Sequence, residues 1–217
     1  IGGSLGIPYL YPLYLPLFAR VMGKPIVLYG GGIGRPRRFR WLISKAFKFS
    51  LKRMDLITLR EDISYQNLKN MGIQANHIFV TAAPACLLQP ASIEEVKRIM
   101  KHEGIEKKSN LLIGMTVTRI RASRAFPELD SRQDSYHKHV EMLAQVIDNL
   151  TKHFDARVIF VPHCIGFGEK LDDRIVAADI FQRCQYKERV KVIHNEYHAA
   201  ELKGLMGQFD LFVGERL

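Results

Sequence analysis

The chain has 217 residues, 47 % apolar and 25 % charged, which allows one large domain or parts of two, with a substantial core. Thirty-two Lys and Arg against twenty-two Asp and Glu leave a formal charge of +10, so an anionic partner is expected: nucleic acid, a membrane surface, or a phosphorylated or carboxylated small molecule. The three scattered cysteines, Cys86, Cys164 and Cys184, fit neither a disulfide framework nor a paired C-x-x-C site, so no structural metal is expected and a reducing, cytoplasmic setting is the simpler one.

Near the start, "GIPYLYPLYLPLFARVMG" is interrupted by Pro8, Pro12 and Pro16 and reaches Arg20 short of the roughly 18 to 20 apolar residues that cross a bilayer. It also lacks the basic segment and small-residue cleavage site of a signal peptide. The chain opens at Ile1 without a Met and closes just after an apolar run, so it reads as an internal piece of a longer protein.

Apolar runs then alternate with helical periods, the pattern of an α/β fold with a largely parallel sheet. "KPIVLYGGGIG" is a short strand running into a glycine turn. Phe39, Leu42, Ile43, Ala46 and Ser50 mark the buried face of a following helix, with Arg38, Lys45, Lys48 and Lys52 largely elsewhere around it. "DLITLRED" is the next strand, Asp62 or Ser64 is placed to cap the helix after it, and Gly72 suits its left-handed end. "HIFVTAAPACLL" is a third strand with an exit loop. In "QPASIEEVKRIMKHEG", Ser92 with Glu95 three residues on forms a capping box and Gly104 ends the helix.

A domain boundary is placed around 88–92, giving 1–90 as the later part of one Rossmann-like domain and 91–217 as a second, truncated one. The second half restarts with strand "NLLIGMTVT" and an Arg- and Ser-rich segment. A long helix follows, on which Val140, Leu143, Ile147, Leu150 and Phe154 share a face. Strand "RVIFVPH", a helix from about 172 to 184, strand "RVKVIH", a helix around 199–206 and strand "DLFVG" complete a doubly wound unit.

Ligands of open parallel sheets collect beyond the carboxyl ends of strands. That rule nominates 30–34, Arg60, 116–119, 162–168 and 214–216. "GGGIG", with Gly31, Gly32 and Gly34, is neither a full G-x-G-x-x-G fingerprint nor a P-loop, and reads equally as a ligand-contacting loop or a plain tight turn. Arg60 and Arg216 both close a strand, where a guanidinium can grip a carboxylate or phosphate; the competing reading is a surface ion pair with Glu61 or Glu215. His163 ends a strand and can exchange protons near neutral pH, or simply be a hydrogen-bonded structural residue. His137, His139, His194 and His198 have no acidic or thiol neighbour at a ligand spacing. "RPRRFRW" resembles a nucleic-acid tract in composition, but it runs into an amphipathic helix, so a solvated or membrane-facing basic side is preferred and no nucleic acid is expected.

The series "GKPIVLYGGGIG", "DLITLREDISYQNLKNMGI", "FVTAAPACLL", "LIGMTV", "VIFVPH" with Asp172 and Asp173, and "FDLFVGERL" resembles the polysaccharide pyruvyl transferase family over nearly the whole chain. The resemblance implies two Rossmann-like domains as in GT-B glycosyltransferases, here lacking the start of the first and the end of the second. It also implies transfer of pyruvate from phosphoenolpyruvate, a substrate rather than a cofactor, to a diol of a saccharide or lipid-linked saccharide acceptor. The product would be a pyruvate ketal on a cell-surface polysaccharide or its precursor, with release of phosphate. Arg60 and Arg216 would bind the donor beside the glycines, and His163 would take a proton-handling role; the family's histidine would fall one residue past Leu217. Ala83, Arg35 and Glu215 depart from the family's pattern. Little or no activity is expected of this piece alone. The alternatives are a nucleotide-sugar-dependent GT-B glycosyltransferase or sugar epimerase, and a basic module for nucleic acid or anionic membrane.

Overall fold

The computed structural model describes residues 3–5, 11–34, 41–107, 111–166, 168 and 171–215, the side chains of 3–5, 11–14 and 41–44 excepted. The chain divides into two compact units, Ile1–Leu88 and Gln89–Leu217. Each is built on its own parallel four-stranded sheet.

The first unit runs β1 (Gly3–Leu5), α1 (Tyr11–Val21), β2 (Val27–Ile33), α2 (Trp41–Leu51), β3 (Leu56–Leu59), α3 (Asp62–Asn70) and β4 (Ile78–Val80), with strand order β1-β2-β3-β4. Each new strand is added on the same side, and right-handed crossovers then place all three helices on one face. A single apolar cluster agrees: Leu28, Ile57 and Leu59 of the sheet pack with Phe47 and Leu51 of α2, Leu68 of α3 and Ala19 of α1. On the other face Val27, Tyr29 and Phe79 are exposed.

Part of the first apolar stretch is helical: α1 holds Pro16 in its interior, where the missing N–H forfeits one backbone bond without stopping the helix. Two local expectations change. The buried side of α2 is turned by one residue, to Phe47, Ser50 and Leu51, with Ala46 exposed, because the larger side chains at i and i+4 remove more apolar area from water. Phe39 and Arg38, and the side chains of Leu42 and Ile43, lie outside the described residues. Neither Asp62 nor Ser64 caps α3; Glu61 holds the cap position and makes no side-chain cap bond. Gly72 does take the left-handed conformation, at φ +72°.

The second unit runs α4 (Ile93–His102), β5 (Leu112–Thr116), α5 (Arg119–Ala122), α6 (Arg132–Phe154), β6 (Arg157–Phe160), α7 (Asp173–Arg183), β7 (Val190–Val192), α8 (Ala199–Met206) and β8 (Leu211–Gly214). The Ser92–Glu95 capping box starts α4, and Gly104 follows its end at φ +62°. Strand order is β7-β6-β5-β8. Both faces of the sheet are covered: Val140 and Ile147 of α6 and Ile180 of α7 pack on Ile113, Val158 and Phe160, while Val96 of α4 and Leu205 of α8 pack on Leu112, Ile159 and Val161. Phe154, at the end of α6, overshoots the core and is exposed; Ala144 and Thr151 complete the buried line instead. The chain winds β5, β6, β7 in one direction and then returns to lay β8 on the far side of β5. This creates a topological switch point between β5 and β8, where two neighbouring loops leave the sheet in opposite directions and open a crevice. No described helix is long and apolar enough to cross a membrane.

Candidate functional site

In the first unit the strand β2 does not stop at Tyr29. It continues through Gly31 and Gly32 to Ile33, and these two glycines pair with Gly3 and Ser4 of β1, so they sit in the ladder rather than in a turn. The irregularity falls at Gly30, φ +58°, where the register against β3 shifts and the N–H donates to Thr58 Oγ1 at 2.7 Å. A β-carbon there would stand 2.3 Å from Pro84 Cδ, so only glycine fits. Gly34 follows the ladder and is exposed.

Residues of α3 hold that strand end. Ser64, fully buried, accepts the Ile33 N–H at 2.8 Å and donates to Glu61 Oε1, while Asn67 Nδ2 donates to the Ile33 carbonyl at 2.7 Å. Arg60 leaves the neighbouring strand with its N–H bonded to the Gly31 carbonyl at 3.2 Å; its side chain is partly exposed and 3.8 Å from Glu61. Arg60 and the glycine segment are therefore joined at the carboxyl end of the sheet. Arg216 lies outside the described residues.

In the second unit, the β5/β8 switch point opens as a cavity of about 640 Å³ lined by Ile120, Arg121, Arg124, His139 and Glu215, among others. Thr118 starts α5 by accepting the Arg121 N–H at 3.1 Å, which carries Arg121 and Arg124 to the rim. Glu215, just past β8, accepts the Thr118 N–H at 2.8 Å through Oε2, and its Oε1 lies 2.8 Å from His139 Nε2. The ring N–H of His139 is out of line to donate there, and among the described residues neither ring nitrogen has a hydrogen-bond partner although the side chain is buried. Arg119 stacks over the Tyr136 ring at 4.6 Å. Burial, and then the hydrogen bond to Asp179, push the Tyr136 hydroxyl well above the usual tyrosine range, so it stays protonated.

His163 is not among the cavity's lining residues. Its Nδ1 lies 3.1 Å from the Val161 carbonyl, which can only accept, so the proton is on Nδ1 and Nε2 is the ring's acceptor. The ring meets Phe212 at 6.1 Å. Asp173, also buried, accepts the N–H groups of Cys164 at 2.9 Å and His163 at 3.3 Å. Asp172 caps α7 and grips Arg174, whose hydrogen bonds hold the carboxyl below its ordinary range.

No acidic residue stands at a ligand spacing from His139 along the sequence; the carboxylate beside it in space comes from the far end of the chain. The sequence did carry one signal, a histidine on the buried line of an amphipathic helix between Tyr136 and Val140.

The model of the family described as polysaccharide pyruvyl transferase matches residues 1–217. The chain belongs to the polysaccharide pyruvyl transferase family. The amylovoran biosynthesis protein AmsJ of Erwinia amylovora is 24 % identical to it over 220 residues, covering all of this chain and 51 % of AmsJ. The chain therefore spans about half the length of that curated relative. Crystal structures of Anabaena Alr3699/HepE, one in complex with UDP and one with UDP and glucose, resemble this chain with TM-scores of 0.55 and 0.54 at 16 % and 15 % identity. Each covers 93 % of this chain and 49 % of the other. At such identities the likeness is one of fold.

Proposed function

We infer that the protein to which this chain belongs transfers pyruvate from phosphoenolpyruvate to two hydroxyls of a saccharide or lipid-linked saccharide, forming a ketal in polysaccharide biosynthesis. The observation that carries the reading is the family match along all 217 residues. The donor's methylene carbon gains a proton and becomes a methyl group, the central carbon forms two bonds to sugar oxygens, and phosphate leaves with the donor oxygen. One hydroxyl proton balances the methyl group and the other the phosphate. A carboxylate and a phosphate on so small a frame call for guanidinium groups, which supports Arg60, beside Gly31, Gly32 and Gly34, and Arg216 as the donor-binding residues. His163, with Nε2 available as an acceptor, is assigned a proton-handling role.

Two parallel-sheet units and the likeness to Alr3699/HepE support a GT-B arrangement of the whole protein. The reading includes a cytoplasmic location, a peripheral contact with anionic membrane and no nucleic-acid partner. The half-length chain alone is expected to turn over little or no donor.

A second reading, a nucleotide-sugar-dependent transferase or epimerase, is favoured by the cavity at the β5/β8 switch point and by the UDP held in the HepE structures. Ligand bound only by the folded state raises the melting temperature. In the full-length protein, phosphoenolpyruvate is expected to raise it, and Arg60→Ala and Arg216→Ala to abolish the rise. An equal rise in both variants removes the donor-site assignment, and a rise with UDP but none with phosphoenolpyruvate favours the second reading.

A further inference from the structure

We propose that the α1–α2 surface of the first unit is a membrane-docking face that inserts Phe18, Val21 and Met22 among acyl chains while nearby lysines meet anionic headgroups. The proposal gives residues to the peripheral contact stated above and does not depend on the donor. It rests first on where the charge lies. Residues 1–54 hold ten of the thirty-two Lys and Arg and none of the twenty-two Asp and Glu; the remainder of the chain holds twenty-two of each and is neutral. All of the +10 thus resides in the segment that contains α1 and α2.

It rests secondly on what that segment leaves in water. Leu15 and Phe18 on α1 and Met22 in the turn that follows it are three and four residues apart, with Val21 beside them, and Phe18, Val21 and Met22 are 64 %, 84 % and 57 % exposed. Three large apolar side chains that open at one helix end are unusual for a surface facing water alone. On α2, which packs against α1, Phe49 is 44 % exposed beneath the Arg53 guanidinium, 3.2 Å from its ring centroid. Lys24, Lys45 and Lys52 are exposed around this surface. The nearest acid in sequence, Asp55, is engaged by Arg20 at 2.9 Å. Apolar side chains beside aliphatic stems that end in cations suit the boundary between headgroups and acyl chains, where the two parts of each lysine find their own solvent. Nucleic acid would use the cations but would leave the apolar side chains in water, which is why lipid is the occupant.

The test uses the full-length protein and sedimentation with vesicles, either pure phosphatidylcholine or phosphatidylcholine with about 30 % phosphatidylglycerol, a charge density that attracts polybasic surfaces. Binding is expected only with the anionic lipid. It should fall about tenfold or more in Lys24→Gln/Lys52→Gln, given the attraction each cation near such a surface contributes. It should fall likewise in Phe18→Ser/Val21→Ser, whose side chains are exposed and whose melting temperature should match wild type. A Val21→Trp variant should add fluorescence that shifts to the blue and is quenched by brominated lipid. Equal binding by wild type and Phe18→Ser/Val21→Ser, tighter binding to a DNA duplex than to vesicles, or a Trp at position 21 already shielded without vesicles would each overturn the proposal. Vesicle binding without any response to phosphoenolpyruvate would leave it standing while removing the donor assignment.

Discussion

Glu215 Oε2 accepts the Thr118 N–H at 2.8 Å, so a single carboxylate ties the exit of β8 to the exit of β5 while its other oxygen meets His139. Removing it leaves a backbone donor without its acceptor at the mouth of the second-unit cavity. Glu215→Ala should therefore lower stability to urea by about 1–3 kcal/mol, the cost of an orphaned buried donor. Glu215→Gln keeps a carbonyl oxygen for Thr118 and should recover more than half of that loss. Equal losses in the two variants would show that the charge, rather than the Thr118 bond, is what matters.

The corresponding clasp in the first unit is the Ser64 hydroxyl on the Ile33 N–H. Ser64→Ala leaves that N–H without its acceptor, at a cost of about 1–3 kcal/mol. Because Ser64 and Asn67 fix the end of β2 against α3, the helix that Arg60 precedes, the variant should also weaken the melting shift produced by phosphoenolpyruvate. A destabilised variant with an undiminished shift would separate the clasp from the donor.

The strands that alternation and β-branched runs announce, "DLITL", "LLIGMT" and "RVIF" among them, form where the sequence places them, as does the Ser92–Glu95 cap, because each signal is local. What was not legible depends on distance along the chain. Three residues of β1 carry too little pattern to announce a strand, and only pairing with β2 makes them one. Ser64 looks like a cap until its partner, 31 residues away, is seen. Of the segments that the strand-end rule nominates, 214–216 includes Gly214 and Glu215 of the second-unit cavity, whereas 116–119 stops one residue short of Ile120 on its other side, and His139 is not legible because no local spacing shows that Glu215 returns to meet it.

Gly30 allows a sharper test of the bulge. Alanine there adopts a left-handed backbone conformation, worth about 1–2 kcal/mol, and drives its methyl group onto the Pro84 ring, which cannot swing away. Gly30→Ala should lower the melting temperature, whereas Gly34→Ala, with open space at its β-carbon, should not. Equal effects would mean that β2 passes Pro84 differently.

Burial, aided by the nearby Asp148, pushes the Cys184 thiol up to about 11, so at neutral pH it is protonated as well as enclosed. Cys86 is exposed. In the native protein a maleimide should label Cys86 and leave Cys184 untouched until denaturant is added, with peptide mass mapping as the readout. Rapid native labelling of Cys184 would contradict the packing of α7.

The two units share one further device, and it sets their response to acid. Asp55, just before β3, accepts the Ile26 N–H at 2.7 Å and returns its own N–H to the Ile26 carbonyl at 2.8 Å. Asp210, just before β8, does the same with Leu112, at 2.9 Å in each direction. Each carboxylate also meets a cation, Arg20 at 2.9 Å and Lys107 at 3.1 Å. The backbone hydrogen bond first, then the cation, lowers both carboxyls below their ordinary value of 3.8. A carboxyl whose folded value is depressed binds its proton more readily in the unfolded chain, so its contribution is complete above the unfolded value and disappears as pH falls through the folded one. Asp55→Asn and Asp210→Asn should therefore melt below wild type at neutral pH, and the gap should close as pH is lowered from about 4 towards 2. A gap that stays constant over that range would show that these clasps act through shape and not through charge.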